Sequence, residues 1–185
     1  MSPTAQPLSK GAQIIAQLNE LIQRKDADDF TLKRLKAEAE KIKENNLVDA
    51  FSILGMIACI EQDIENLHSY HKSAITYSNE SARELSHYVV SLINSKLYED
   101  AYKYSLKVFK KAPTDEKNLD ILIKAISELN LEEEFGKYTS IWFDLKKEPH
   151  RLTIYPKALV RSIEIATDQM LAGEDNLSYE EVFGG

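Results

Sequence analysis

Apolar side chains recur three and four residues apart along most of the chain, and strict alternation of apolar and polar residues is nearly absent. Side chains at these spacings share one face of an α-helix, so the pattern predicts a succession of amphipathic helices. A first helix is expected from about Ser9 to Arg24. Asp28 is a typical N-cap for a second helix, which is expected to end at Asn45-Asn46. The side chains predicted to be buried in these two helices are Ile14, Ile15, Leu18, Leu21, Ile22, Leu32, Leu35, Ala39 and Ile42.

From Val48 onward the pattern repeats, and three consecutive blocks of equal length follow one another: 48–81, 82–115 and 116–149. Asn79 and Pro113 are one block length apart, and so are Leu67 and Ala101. Asn and Pro after a helical pair force the chain to turn, so each block is predicted to hold one pair of helices.

The blocks have the length of tetratricopeptide repeats, about 34 residues, and their loose residue order: an aromatic residue, Leu-Gly, a small residue, an aromatic residue and a Pro. Residues 48–149 therefore resemble the tetratricopeptide repeat (TPR) family. The alternative interpretation is an irregular helical bundle with a coincidental period. The residues that carry the resemblance include Phe51, Leu54-Gly55, Ala58, Tyr70, Ala74, Tyr88, Leu92, Ala101, Pro113, Phe135 and Trp142.

The resemblance implies an all-α fold in which helical hairpins stack into a right-handed α-solenoid with a concave inner face. A single hairpin cannot bury its apolar face alone, which is why such pairs stack. Gly55 on the first helix of its pair is expected to let the second helix approach closely. Ala101 is expected to do the same from the second helix of the next pair.

Segments on both sides of the three blocks complete the predicted organisation. Residues 9–46 are expected to form an N-terminal helical hairpin, and residues 150–172 a C-terminal capping helix with one wet face. Residues 1–8 are expected to be flexible. An acidic flexible tail, 173–185, is expected to follow the capping helix.

Length and cysteine content point to one domain in a reducing compartment. A chain of 185 residues can bury a core large enough to need neither disulfides nor a metal. Cys59 is the one cysteine, so no intrachain disulfide is possible.

Residues 1–7 lack the basic start and apolar stretch of a secretory signal. The longest mostly apolar run, 53–60, is far shorter than the roughly 20 residues that span a bilayer. We therefore expect a cytoplasmic protein with no membrane partner.

Charge and motifs exclude several classes of function. Asp and Glu number 30 against 23 Lys and Arg, a net charge of −7, whereas proteins that bind nucleic-acid backbone usually present a basic field. No Gly-rich phosphate loop, paired-cysteine motif or nucleophile elbow is present. His68, His71 and His87 invite a metal hypothesis, but no cysteine pair or acidic partner completes a ligand set. We predict no catalytic residue, no metal, no cofactor and no nucleic-acid partner.

TPR arrays usually bind their partners along the first helix of each hairpin, so the resemblance assigns a partner-binding groove to these helices. The centre of this groove is apolar and contains a methionine, which suits an extended or helical segment of another protein. The alternative is that Met56, Val90 and Ile93 pack against neighbouring helices or the N-terminal hairpin. The groove positions are Ser52, Met56, Cys59, Arg83, Ser86, Val90, Ile93, Asn94, Lys117, Asp120 and Lys124, with Asp49 and Ser127 at equivalent positions.

One branch of the family grips a terminal carboxylate of its partner with Lys and Asn placed four residues apart. That clamp is absent here, so a co-chaperone of that branch is not expected. The positions that correspond to the clamp hold Ser52 with Met56, Ser86 with Val90, and Asp120 with Lys124.

The leading functional hypothesis is a non-catalytic protein-binding module, an adaptor or chaperone-like protein that holds a segment of its partner. One alternative is an immunity or antitoxin-like protein that inactivates a partner enzyme by covering it. Another is a helical repeat that binds single-stranded RNA, although the acidic composition counts against it.

Overall fold

The computed structural model describes residues 8–145, and within them the chain forms eight α-helices joined by short connections. The all-α prediction is confirmed for this part of the chain. The predicted capping helix at 150–172, the tail at 173–185 and residues 1–7 lie outside the described residues. The helices are α1 Lys10–Arg24, α2 Asp29–Lys43, α3 Leu47–Glu61, α4 Ile64–Tyr77, α5 Ala82–Asn94, α6 Tyr98–Lys111, α7 Glu116–Glu128 and α8 Glu132–Leu145.

Polar side chains begin most of these helices. Ser9 accepts a hydrogen bond from the backbone N–H of Ala12, and Asp28 accepts one from Thr31, which confirms the predicted starts of the first two helices. Such caps satisfy N–H groups that the first helical turn leaves unpaired. The same role falls to Asn46, Asp63, Ser81 and Asp115 at the starts of α3, α4, α5 and α7.

Helix boundaries from α4 onward repeat with the period seen in the sequence. The helices α4, α6 and α8 each have 14 residues and begin at 64, 98 and 132. The helices α5 and α7 each have 13 residues and begin at 82 and 116. Each sequence block thus holds one helical hairpin: α3–α4, α5–α6 and α7–α8.

The turn inside each hairpin has the same backbone conformation. Gln62, Lys96 and Asn130 hold equivalent positions in the three blocks and have left-handed φ angles of 59°, 60° and 56°. The residue after each donates its N–H to a carbonyl five positions earlier, as Leu97 does to Leu92 at 2.9 Å. This is the Schellman ending, in which glycine is the usual left-handed residue. The repeat is therefore present in the backbone even where the side chains differ.

Gly55 allows α3 and α4 to approach closely, as the sequence predicted. A Cβ atom built at Gly55 would lie 2.7 Å from the ring of His71 on α4. Real Cβ atoms do not come that close to other heavy atoms, so a larger residue at this position requires the His71 ring or the two helices to shift. Ala101, the small residue predicted on α6, is fully buried.

Buried apolar side chains in the described residues form three clusters that follow one another along the chain. The first joins α1, α2 and α3, the second runs from α3 to α7, and the third joins α7 and α8. Tyr70 packs against both the first and the second cluster, and Tyr102 against both the second and the third. The core is therefore a chain of local cores linked by partly buried tyrosines.

Candidate functional site

Four of the predicted groove residues lie in the core. Ser52, Met56, Cys59 and Ile93 are each no more than 6% exposed. Met56 belongs to the first cluster together with Leu18 of α1. The helix α1 packs chiefly against α3. Met56 and Ile93 therefore adopt the alternative considered above, in which they pack against neighbouring helices.

The other seven predicted residues are accessible and lie on α5 and α7. Side chains three, seven and eleven positions apart along a helix share one face of that helix. The residues named on α5 and on α7 occupy equivalent positions in successive blocks. Ser86 of α5 donates a hydrogen bond to Asn118 of α7 at 2.5 Å, which ties the two helices together. We call this set the α5–α7 surface: Arg83, Asn94 and Lys117 are exposed, and Ser86, Val90, Asp120 and Lys124 are half-buried.

A network of charged groups lies at the edge of this surface, between α3 and α5. Arg83 Nη2 lies 2.5 Å from Asp49 Oδ1, and Arg83 Nε lies 3.0 Å from Glu84 Oε1. The carboxylate of Glu84 also accepts a hydrogen bond from Ser52. Asp49 and Glu84 are buried, whereas half of the Arg83 side chain remains exposed. Two buried carboxylates therefore hold one guanidinium in place at the surface.

Glu84 is ionised in this setting. Burial raises its pKa, but the neighbouring His87 ring, the Ser52 hydroxyl and the charge of Arg83 outweigh burial, so that the net pKa lies below its ordinary value. His87 Nδ1 lies 3.4 Å from Glu84 Oε2. A buried carboxylate with these partners is stabilised as a structural anion. It has no exposed oxygen with which to transfer a proton to a bound molecule.

Two histidines of the metal hypothesis, His68 and His71, pack against the ring of Tyr88. His71 is fully buried, and its Nε2 lies 2.8 Å from Ser91 Oγ. His68 Nδ1 lies 2.5 Å from the hydroxyl of Tyr88, whose ring stacks on His71. Burial lowers the pKa of His71 to about 3, with a smaller contribution from the charge of His87. In the described part of the chain, no three His, Cys, Asp or Glu side chains form a group that could hold a metal ion.

A second polar side chain of the α5–α7 surface is also held in place. Trp142 of α8 donates its indole N–H to the carboxylate of Asp120 on α7. A tryptophan that is mostly buried has little rotamer freedom, so it orients the carboxylate. Arg83, Ser86 and Asp120 thus each have a defined orientation before any partner binds.

A cavity of about 350 Å³ lies beside this surface, where α1, α3 and α5 end. Leu21 and Ile22 of α1 and Ile60 of α3 give it apolar walls. Its other lining residues are Lys25, Ala27, Cys59, Gln62 and Asn94. Cys59 and Asn94 are among the groove residues predicted from the sequence. The cavity itself is not predicted, because the sequence does not show where α1 packs on α3.

Glu84 was also missed by sequence reasoning. A signal for it exists: Glu84 occupies the same helical stripe as Leu85, Tyr88 and Leu92, which are all buried. An acidic residue on an apolar stripe, next to an arginine, indicates a buried charge with an internal partner. The apolar pattern alone would assign such a charged residue to the solvent-exposed face of its helix, which is why Glu84 is not among the predicted residues.

None of the helices within residues 8–145 is long and apolar enough to cross a membrane. Comparison of this chain with protein-family models, curated proteins and solved structures finds no match.

Proposed function

We propose that this chain is a non-catalytic module that binds a segment of a partner protein along the α5–α7 surface. The observation that carries the proposal is the fixed orientation of its polar groups. Arg83 is held by Asp49 and Glu84, and Asp120 by Trp142. Groups already ordered in the free protein lose little entropy on binding, so they add more affinity than mobile side chains do.

The chemistry of the surface also suits a peptide segment. Val90 is a half-buried apolar side chain between the charged group Arg83 and the amide of Asn94. An apolar centre with polar groups on both sides is the arrangement by which protein surfaces recognise short segments. The proposal includes the right-handed solenoid of TPR-like hairpins and a cytoplasmic location. The regular recurrence of helix ends from one block to the next supports the repeated hairpins of such a solenoid.

Substitution of Val90 by Glu tests the surface. Because Val90 is only half-buried, the new carboxylate can reach water, and we expect a loss of stability within roughly 1 kcal/mol. We expect capture of the partner from an extract of the native host to be lost. Thr76→Glu on the exposed side of α4 adds the same charge elsewhere and should leave capture unchanged.

Chemical cross-linking of amines locates the contact independently. Lys117 and Lys124 lie on the α5–α7 surface, whereas Lys103 lies on the exposed side of α6, whose buried residues face α5 and α7. We expect the captured protein to cross-link to Lys117 or Lys124 and not to Lys103. Cross-links at Lys103 alone, or capture that survives Val90→Glu in a folded variant, would contradict the proposal.

A further inference from the structure

The outer side of α6 concentrates positive charge in an acidic chain. Residues 101–114 contain four lysines and no Asp or Glu, whereas the whole chain has 30 Asp and Glu against 23 Lys and Arg. Side chains four, seven and eight positions apart share one face of a helix, so these lysines form a stripe opposite the buried residues of α6. The four lysines, all exposed, are Lys103, Lys107, Lys110 and Lys111.

The two lysines in the middle of this stripe are not paired with a carboxylate. Lys103 follows two acidic residues at three and four positions, and Lys111 Nζ lies 4.0 Å from Glu80 Oε2. Lys107 and Lys110 take part in none of the ion pairs within residues 8–145. No Asp or Glu lies within four residues of either along the sequence. Their charges are therefore available to an anionic ligand.

An aromatic ring gives the same face an apolar component. The ammonium of Lys107 lies 4.9 Å from the centroid of the half-buried Tyr104 ring. A lysine in such a contact keeps its charge and its N–H donors. We call Tyr104, Lys107 and Lys110 the α6 face. A ligand that matches it combines carboxylates with aromatic or aliphatic side chains.

A segment of this chain has that composition. Residues 174–185, which lie outside the described residues, contain no Lys or Arg. Attraction between opposite charges on one chain acts at a high effective concentration, because the two groups are covalently linked. The acidic residues of the segment are Glu174, Asp175, Glu180 and Glu181, and its large apolar residues are Leu177, Tyr179, Val182 and Phe183.

The direction of the helices brings this segment within reach of the α6 face. The helices α6 and α8 both pack on α7. Short connections make successive helices antiparallel, so α6 and α8 run the same way, and Lys111 and Leu145 end them on the same side. Packed helices lie roughly 8–10 Å apart, so the axes of α6 and α8 are at most about 20 Å apart. Residues 146–173 can span more than that distance, about 42 Å even at the 1.5 Å per residue of an α-helix.

We propose that residues 174–185 fold back onto the outer side of α6, where their carboxylates pair with Lys107 and Lys110 and their aromatic side chains pack beside Tyr104. This inference does not depend on the proposed function, because α6 turns its opposite side toward α5 and α7. The segment then competes with any other anionic molecule for the basic face of an acidic protein.

Carbodiimide cross-linking of the full chain tests the contact directly, because the reagent joins an amine only to a carboxylate that touches it. We expect mass spectrometry to find Lys107 or Lys110 joined to an Asp or Glu of residues 174–185. A mixture of unlabelled and nitrogen-15-labelled chains distinguishes links within one chain from links between two copies. We expect links within one chain, and fewer of them at about 1 M salt, where the screening length is about 3 Å.

Cleavage by chymotrypsin after Tyr179 and Phe183 measures how far the segment is protected. The double variant Lys107→Glu with Lys110→Glu should be cleaved there about fivefold faster than the parent protein, since two exposed ion pairs are lost. Reversal of the two segment charges, Glu180→Lys with Glu181→Lys, should restore protection: this segment should be cleaved more slowly on the doubly changed α6 than on the unchanged one.

A matched control carries the same charge change elsewhere. Lys33 and Arg34 are exposed on α2, and Lys33→Glu with Arg34→Glu should leave cleavage of residues 174–185 unchanged. Links within one chain together with the charge-reversed rescue support the proposal. Three results overturn it: links only between copies, no link from Lys107 or Lys110, or equal cleavage of the parent protein and the α6 double variant. Cross-linking uses the parent protein, so it decides the matter even if a variant fails to fold.

Discussion

The hydroxyl of Ser52 on α3 donates a hydrogen bond to the carboxylate of Glu84 on α5, 32 residues further along the chain. Ser86 on α5 and Asn118 on α7 hold the equivalent positions one block later and make the same contact across the next helix pair. Corresponding positions of successive hairpins are thus joined by corresponding hydrogen bonds. In the first case the acceptor is a buried anion, and in the second it is a neutral amide.

This difference predicts unequal effects of removing the two hydroxyl groups. Ser52→Ala leaves a buried carboxylate with one donor fewer, so we expect it to lower the free energy of unfolding by about 1–3 kcal/mol. Ser86→Ala at the half-buried neutral pair should cost less, about 0.5–1 kcal/mol. Urea titrations of the two variants measure both values. Equal losses in the free energy of unfolding would show that the Ser52 hydroxyl stabilises the buried carboxylate of Glu84 no more than Ser86 stabilises a neutral amide.

Two glycines inside helices give opposite predictions for the same substitution. Gly55→Ala places a Cβ atom against His71, and we expect it to lower stability by about 1–3 kcal/mol, as overpacking does. At Gly136 on α8 a Cβ atom meets nothing within 4 Å. Gly136→Ala should therefore raise stability by about 0.5–1 kcal/mol through helix propensity. Thermal melts of both variants check this pair, and a stabilised Gly55→Ala would contradict the close contact.

The residues with left-handed φ angles in the turns inside the hairpins predict that substitution by glycine raises stability. Lys96 has a φ of 60° and is exposed, so Lys96→Gly removes backbone strain without removing a buried contact. We expect a gain of about 0.5–1 kcal/mol. Lys103→Gly, at an exposed position inside α6, should instead lose about 0.5–1 kcal/mol. A loss at both positions would indicate that Lys96 is not strained.

The buried His71 predicts a dependence of stability on pH. Its pKa is lowered in the folded protein to about 3 from 6.5, so between these values the unfolded chain binds the proton more tightly. The stability present above pH 6.5 is therefore lost progressively as the pH falls toward 3, by an amount on the order of a few kcal/mol. His68, His87 and Glu84 lie near enough to contribute to the electrostatic environment of His71.

The variant His71→Phe isolates this effect. A phenyl ring keeps an aromatic side chain beside Tyr88 but binds no proton. Melting temperatures measured from pH 7 to pH 4 should fall less steeply for His71→Phe than for the parent protein. Identical slopes would assign the acid sensitivity to other groups.

The sequence predicts helices and their period well because both depend on local spacing. The start at Ser9 and the cap at Asp28 are both encoded within a few residues of the feature itself. The close contact at Gly55 is predicted from the small residue alone, without its partner His71. The left-handed residues were not predicted. Gln62 and Lys96 have left-handed φ angles, but Gln and Lys are not residues that usually mark a turn.

The candidate site was predicted less completely, because accessibility depends on contacts between distant segments. Met56 and Val90 hold equivalent positions in successive hairpins, yet Met56 is buried beside α1 whereas Val90 remains partly open. No periodicity distinguishes the two. The cavity beside Asn94 arises in the same way, from where α1 ends relative to α3 and α5.

The division of the core into three clusters has a consequence for cooperativity. Each cluster is local, and neighbouring clusters share one helix, α3 or α7, and one partly buried tyrosine, Tyr70 or Tyr102. A structure connected in this way can open at one end while the remainder keeps its own packing. Backbone amides of α8, which belongs to the third cluster alone, then exchange with solvent through a local opening, and those of α3 and α7 only when two neighbouring clusters separate. Residues 8–145 are therefore expected to behave as a series of coupled units that do not all open together.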